Sequence, residues 1–259
     1  LPLPSMQKPL ILVSNDDGVT AKGISVLVEE MKKLGDVIVV APDSPQSGMG
    51  HAITMNNPLR VSEVFLFEDV KAYQVNGTPV DCVKLAIDKL IDRKPDLMVS
   101  GINHGSNASI NVIYSGTMSA AVEASIDHMP AVGFSLCDFA HDADFEHTRP
   151  FIQKIAQEVL QNGLPNGVLL NVNFPEISIG IKGIKVCRQA NAHWDESFLK
   201  REDPFKRTYY WMKGEFKNRD KGEDTDIFAL ENGYASLVPV QFDLTAHTSI
   251  GLLNNWNLN

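Results

Sequence analysis

Cysteine is scarce in this chain: Cys82, Cys137 and Cys187 are odd in number, far apart and without zinc-like spacing. That speaks against a disulfide framework and suits free thiols in a reducing compartment. Cys82, inside a helical pattern, reads as a small buried hydrophobe rather than a nucleophile. Positive charge is also in short supply, with 23 Lys and Arg against 32 Asp and Glu and a formal charge of -9. A protein that tracks a nucleic-acid polymer by its phosphates is disfavoured, and an acidic chain that handles phosphate needs a local cation. No apolar run is long enough to cross a bilayer, and Leu1 to Gln7 lacks the charged start and apolar centre of a secretory signal. Those seven residues are set aside from fold reasoning, and the expected location is cytoplasmic with no membrane partner. Common catalytic signatures are missing as well. Ile53 stands where a third glycine would complete Gly48-Met49-Gly50, no Gly-Lys-Ser/Thr run makes a P-loop, the histidines never take HExxH spacing, and no Gly-x-Ser-x-Gly elbow is present. A dinucleotide redox site, an NTPase, a zinc protease and an α/β-hydrolase are disfavoured accordingly.

What the chain does contain is an alternation of β-like apolar runs with helical periodicity. Strands are expected at Leu10–Val13, Val37–Val40, Leu97–Val99, Ala131–Leu136 and Val168–Val172, with a less regular β-like stretch over Thr54–Val61 and Val64–Leu66. Helices are expected at Ile24–Leu34, Pro79–Leu90, Ser119–Ile126 and Pro150–Asn162. The pattern predicts an α/β protein: a Rossmann-like three-layer αβα sandwich with a mostly parallel sheet and a C-terminal antiparallel hairpin extension. Residues 8–175 form the expected catalytic core. Residues 176–259 form an extension packed on it, with short strands around Ile184–Arg188, Tyr209–Met212 and Tyr234–Val238. The charged stretch Asp195–Arg207 reads as a solvated loop, with a projecting hairpin as the sharper alternative.

In a parallel sheet ligands sit beyond the carboxyl ends of the strands, and polar clusters fall there. Asn15-Asp16-Asp17-Gly18 closes the first strand. Two adjacent carboxylates at a strand end can hold a hard divalent cation; the same residues can also be a polar turn with a glycine at positive φ. Ser44 to His51 carries Gly48 and Gly50, which permit close backbone approach to an anion. Ser100-Gly101-Ile102-Asn103-His104-Gly105-Ser106-Asn107 supplies uncharged oxygen and amide groups, and Ser115-Gly116-Thr117 runs into a helix whose first N–H groups can meet a phosphate. Ser115 or Thr117 acting only as a helix cap is the plainer reading.

Together these segments closely resemble the SurE family of metal-dependent survival-protein nucleotidases. The matching residues are Ile11 to Gly18, Ala41-Pro42-Asp43 with Gln46-Ser47 and Gly50-His51, Asn76-Gly77-Thr78-Pro79 with Asp81-Cys82-Val83, Val99 to Asn103, and Tyr114 to Thr117. They continue through Tyr209-Tyr210-Trp211, Asp224-Thr225-Asp226, Gly233-Tyr234 and Asp243 to His247, so the resemblance covers nearly the whole chain in order. It implies one divalent ion per subunit, Mg²⁺ or Mn²⁺, held by Asp16, Asp17, Ser47 and Asn103, with Asp16 or Asp17 as proton acceptor. It implies phosphate contacts from Ser115, Gly116 and Thr117, with Asn107, Gly50 and His51 as further substrate contacts. His51 can serve as a general acid or simply orient its loop. Ala108-Ser109-Ile110-Asn111 stands where relatives often carry acidic residues, which bears on the pocket rim.

The implied activity is hydrolysis of nucleoside 5′- and 3′-monophosphates to nucleoside and phosphate, with exopolyphosphatase side activity. The alternatives are a non-catalytic nucleotide or polyphosphate sensor, and a broad acid phosphatase that does not read the base. The implied assembly is a homodimer or homotetramer formed through the C-terminal extension.

Overall fold

Apolar runs without polar alternation become strands covered on both faces. In the computed structural model, which describes residues 8–140 and 142–258, such runs make β1 (Leu10–Ser14), β2 (Asp36–Pro42), β5 (Leu97–His104), β6 (Ala131–Leu136) and β7 (Val168–Phe174), while the more polar β3 (Val61–Val64) and β4 (Lys71–Val75) lie toward one edge of the sheet. The segment Leu1–Gln7 lies outside the described residues. After β7 come β8 (Ile184–Val186), β9 (Ala192–Glu202), β10 (Thr208–Asn218) and β11 (Ala235–Gln241). Among the described residues the main sheet has nine strands in the order β3-β4-β2-β1-β5-β6-β7-β11-β8, and β9 pairs only with β10. From β4 to β7 every pairing is parallel, while β3 and β11 run antiparallel to their neighbours β4 and β7.

Helices cover both faces and make three layers. α1 (Lys22–Lys32), α2 (Pro79–Leu85), α3 (Gly116–Ile126) and α4 (Arg149–Asn162) belong to the core, and α5 (Asp226–Glu231) and α6 (His247–Leu253) follow in the extension. α1 and α4 share one apolar cluster, in which Ile24, Leu27 and Met31 meet Ile152, Ile155 and Val159 beneath Val13, Val99 and Phe134. α2 and α3 fill the other face with Cys82, Val83, Met118, Ala120 and Ala124 against Leu12, Val40 and Met98. Fully burying each larger aliphatic side chain contributes roughly 1.5–3 kcal/mol relative to leaving it exposed. Gly23 lets α1 lie directly on β5: an added Cβ would fall 2.0 Å from the Ile102 carbonyl oxygen.

The chain winds outward from β1 through β2 to β4, then returns to place β5 on β1's other side. The carboxyl ends of β1 and β5 therefore diverge into a crevice at the switch point of the sheet, the position where α/β folds bind ligands.

Several expectations shift. Asp195–Arg207 is not a loop: residues 195–202 belong to β9, whose partner β10 is equally long, with a turn at Asp203–Arg207. The β-like character of Thr54–Leu66 resolves into β3 alone, and β4 pairs it with β2. The helix expected over Pro79–Leu90 is α-helical to Leu85 and closes as a wider π-type turn over Ala86–Leu90. β8 and β11 extend the core's own sheet from beyond residue 175.

Candidate active site

β1 ends in a turn built by its own sequence. Asn15 Nδ2 donates to the Gly18 carbonyl oxygen (2.9 Å), and Gly18 sits at φ +96°, which a glycine adopts without a Cβ clash. This turn presents Asp16 inward, 3% exposed, and Asp17 toward the crevice. Three other segments converge on the pair. The loop carrying Ser47 is tied down by the Gln46 amide, which donates to the Asp16 carbonyl oxygen at 2.7 Å. The end of β5 approaches through the His104 amide, 3.3 Å from Asp17 Oδ2. α3 arrives end-on: Thr117 Oγ1 donates to Asp16 Oδ1 at 2.5 Å, and Gly116 packs so closely that an added Cβ would lie 2.7 Å from Asp16 Cβ.

Burial raises both carboxyls. Asp16 is pushed up to about 6 by desolvation, with the Thr117 hydroxyl opposing and the charge of Asp17 adding to the rise. Asp17 is raised mainly by desolvation, with the His104 amide opposing. Among the described residues no Lys, Arg or His makes an ion pair with either. A buried carboxyl beside a half-buried one, with no ion-pair partner among the described residues, is a costly arrangement that a cation would relieve.

The chemistry of the donor set fits a hard divalent ion. No cluster of three or more His, Cys, Asp or Glu suited to a metal occurs among the described residues, so neutral oxygens must complete any site. Asn103 Nδ2 donates to the Gly105 carbonyl oxygen (2.8 Å), which leaves Oδ1 as the free acceptor of that amide. Ser47 is exposed on its tethered loop. Two carboxylates, one amide oxygen and one hydroxyl would cancel a double positive charge without adding repulsion.

The remaining expected contacts fall in different surroundings. Ser115 is the N-cap of α3: its Oγ accepts from the Met118 amide (3.0 Å), which leaves its hydroxyl hydrogen to donate elsewhere. The Thr117 hydroxyl donates to Asp16 and so orients a carboxylate. Asn107 is 6% exposed and sits in a buried polar ladder. Its Nδ2 donates to Ser135 Oγ, its amide to Asn173 Oδ1, and its carbonyl accepts from Asn171 Nδ2. One of its two side-chain N–H donors is therefore committed to the scaffold. The Gly50 amide donates to the Tyr114 carbonyl oxygen (3.1 Å).

His51 Nε2 lies 2.9 Å from Glu123 Oε2, and Lys84 holds the other oxygen of Glu123. Burial opposes ionisation of Glu123, but the hydrogen bonds from His51 and Lys84 outweigh it and hold its carboxyl below the ordinary range. His51 thereby ties the Ser47 loop to α3. No sequence motif pointed to Glu123, although a lone acid among the small residues of Ser119–Ile126 signals a buried partner. Asp226 stands in the matching run Asp224-Thr225-Asp226, but no role was expected of it. Its buried carboxylate accepts from the amides of Ser109 (2.7 Å) and Ala190 (2.9 Å), latching the extension onto the loop that leads from Asn103 to Ser115. The cysteines are free; burial raises the Cys82 thiol well above its usual value and pushes that of Cys137 up to about 12, so neither is a thiolate nucleophile at neutral pH. A cleft of about 740 Å³ opens beside Asp17, bordered by Thr20, Lys22, Asp43, His104 and Phe139.

A doubly wound α/β sheet with acidic and amide side chains converging at its switch point defines an α/β protein of the ligand-binding, strand-end class. Residues 11–196 match the family described as survival protein SurE, and the chain belongs to that family. It is similar to a protein of Christiangramia forsetii named 5′-nucleotidase SurE, 64% identical over 256 residues that span 98% of each chain. A protein of the same name from Flavobacterium psychrophilum is 61% identical across 98% of this chain and all of its own. The crystal structure of the SurE protein from Aquifex aeolicus superposes with a TM-score of 0.82 at 38% identity, covering 95% of this chain and 98% of that one.

Proposed function

We propose that this protein is a divalent-metal-dependent phosphomonoesterase that hydrolyses nucleoside 5′-monophosphates, and 3′-monophosphates, to nucleoside and phosphate. Trimming of polyphosphate is the proposed side activity. The observation that carries the reading is the pair of a buried Asp16 and a half-buried Asp17, without an ion-pair partner among the described residues, at the switch point of a sheet in a chain whose relatives are named 5′-nucleotidases. Asp16, Asp17, Ser47 and Asn103 would hold one Mg²⁺ or Mn²⁺ per subunit. Such an ion supplies charge neutralisation at the phosphoryl oxygens and acidifies water.

The protein's own groups do the positioning. Thr117 and Gly116 fix Asp16, Ser115 and the first amides of α3 face the incoming phosphate, and Asp17, which borders the cleft, accepts the proton of the attacking water. His51, braced by Glu123, holds the Ser47 loop in register with α3. The proposed setting is the cytoplasm, in keeping with three free thiols, and the proposed assembly is a homodimer or homotetramer through the extension.

The test is phosphate release from nucleoside monophosphates, p-nitrophenyl phosphate and polyphosphate with Mg²⁺, Mn²⁺ or EDTA. Wild type is expected to turn over only with metal, and Asp17→Asn to lose that turnover while keeping its circular dichroism. Near-normal activity in the variant would remove Asp17 from the mechanism. Nucleotide binding without turnover under any condition would make the protein a sensor.

A further inference from the structure

We propose that Phe139 is the stacking face for the substrate's nucleobase, with the base lodged against its ring in the apolar pocket beside the catalytic cleft. This rests on the nucleotidase reading and adds how the base is met. Phe139 follows β6 and is 78% exposed, so its ring face is open to a ligand. It is nevertheless held in place. The ring lies on the backbone of Gly105, where an added Cβ would fall 2.3 Å from Phe139 Cε1. One residue on, the Ala140 carbonyl oxygen accepts from His104 Nδ1 at 3.0 Å, and the His104 ring is wedged edge-on against Phe145. The His104 amide in turn donates to Asp17. A short hydrogen-bonded link therefore runs from the proposed proton acceptor to the backbone beside the exposed ring.

Phe139 is also the wall between two cavities. On one side is the polar cleft that borders Asp17. On the other is a pocket of about 350 Å³ whose apolar lining includes Pro175, Ile179, Trp194, Ile227 and Leu230. The pocket's amide and indole edges are already paired: Trp194 Nε1 donates to Asn111 Oδ1 (2.7 Å), and Asn111 Nδ2 donates to the Ser106 carbonyl oxygen (3.2 Å). Ser106, Cys137, Phe216 and the carboxylates of Glu176 and Glu231 complete the lining. Such a site meets the face of a base more than its hydrogen-bonding edge. Stacking tolerates every base, because every base has a π-face. Purine and pyrimidine nucleotides are then all accepted, and a sugar phosphate without a base is a poorer substrate.

The experiment compares kcat/KM for AMP and for ribose 5-phosphate, which lacks only the adenine, in wild type, Phe139→Ala and Phe139→Trp. The AMP to ribose 5-phosphate ratio is expected to fall about tenfold in the alanine variant, as loss of one base–aromatic stack requires, and to return in the tryptophan variant. An unchanged ratio, whether both substrates suffer alike or neither does, overturns the proposal. Adenosine binding to the full chain in EDTA, read by saturation-transfer NMR, gives a result independent of turnover. Adenine ring signals in wild type that vanish in Phe139→Ala support the stack. Their absence in wild type overturns it, even if phosphate release establishes the nucleotidase. A lower mass by light scattering for Phe139→Ala would mark the ring as a subunit contact and overturn it equally.

Discussion

Asp16 and Gly116 are shaped to each other, and each explains why the other residue type is needed. A methyl at 116 would stand 2.9 Å from Asp16 Oδ2, so Gly116→Ala must displace the carboxylate even though alanine favours a helix. That substitution is expected to lower phosphate release at least a hundredfold while far-ultraviolet circular dichroism stays native. The Asp16 carboxyl also sets a pH dependence. Its value rises from 3.8 to about 6 on folding, so between those limits the folded protein binds more protons than the unfolded chain. Stability of the metal-free protein therefore falls as pH rises through that window, by about 3 kcal/mol from this group. In EDTA the thermal midpoint should drop between pH 4 and pH 6.5 in wild type and much less in Asp16→Asn. Millimolar Mg²⁺ or Mn²⁺ at pH 7 should restore it, because a ligand that binds only the folded state stabilises it by mass action. A flat wild-type profile would contradict an uncompensated buried Asp16 carboxyl.

At the scale of elements, the β9–β10 hairpin was the least legible piece of the chain. Strand periodicity is imprinted by one buried face, and this hairpin has none: Phe198, Tyr210 and Met212 line one side, Leu199, Tyr209 and Trp211 the other, and all are exposed. Charged residues between them then read as loop, although Asp203-Pro204 is a turn signal, and Asp203 Oδ1 does accept from the amides of Phe205 and Arg207. A two-stranded ribbon standing alone is marginal in water. With apolar side chains on both faces, it is expected to be covered by another copy of this chain. Light scattering at micromolar concentration should give a multiple of the chain mass, and Trp211→Glu with Phe198→Glu should reduce it. A monomeric wild type would defeat this.

Over the whole molecule, the parts whose burial is two-sided were legible. β1, β2, β5, β6 and β7 lie where continuous apolar runs predicted strands, and α1 and α4 follow the expected helical faces, with ends displaced by a residue or two except at β5, which runs five residues past Val99. The site was legible where chemistry is local, as in the turn at Asn15 to Gly18 or the cap at Ser115. It was not legible where partners are distant. The contacts from Glu123 to His51 and from Phe139 to Gly105 depend on tertiary placement, which carries no spacing rule. The same applies to Asp226, whose carboxylate reaches back 117 positions to the Ser109 amide. For that latch the separation is also a delay. At ribosomal rates of about 5–20 residues per second, Asp226 is added roughly 6–23 s after Ser109. A nascent chain thus holds every proposed metal ligand well before it holds the residue that fastens the loop between Asn103 and Ser115.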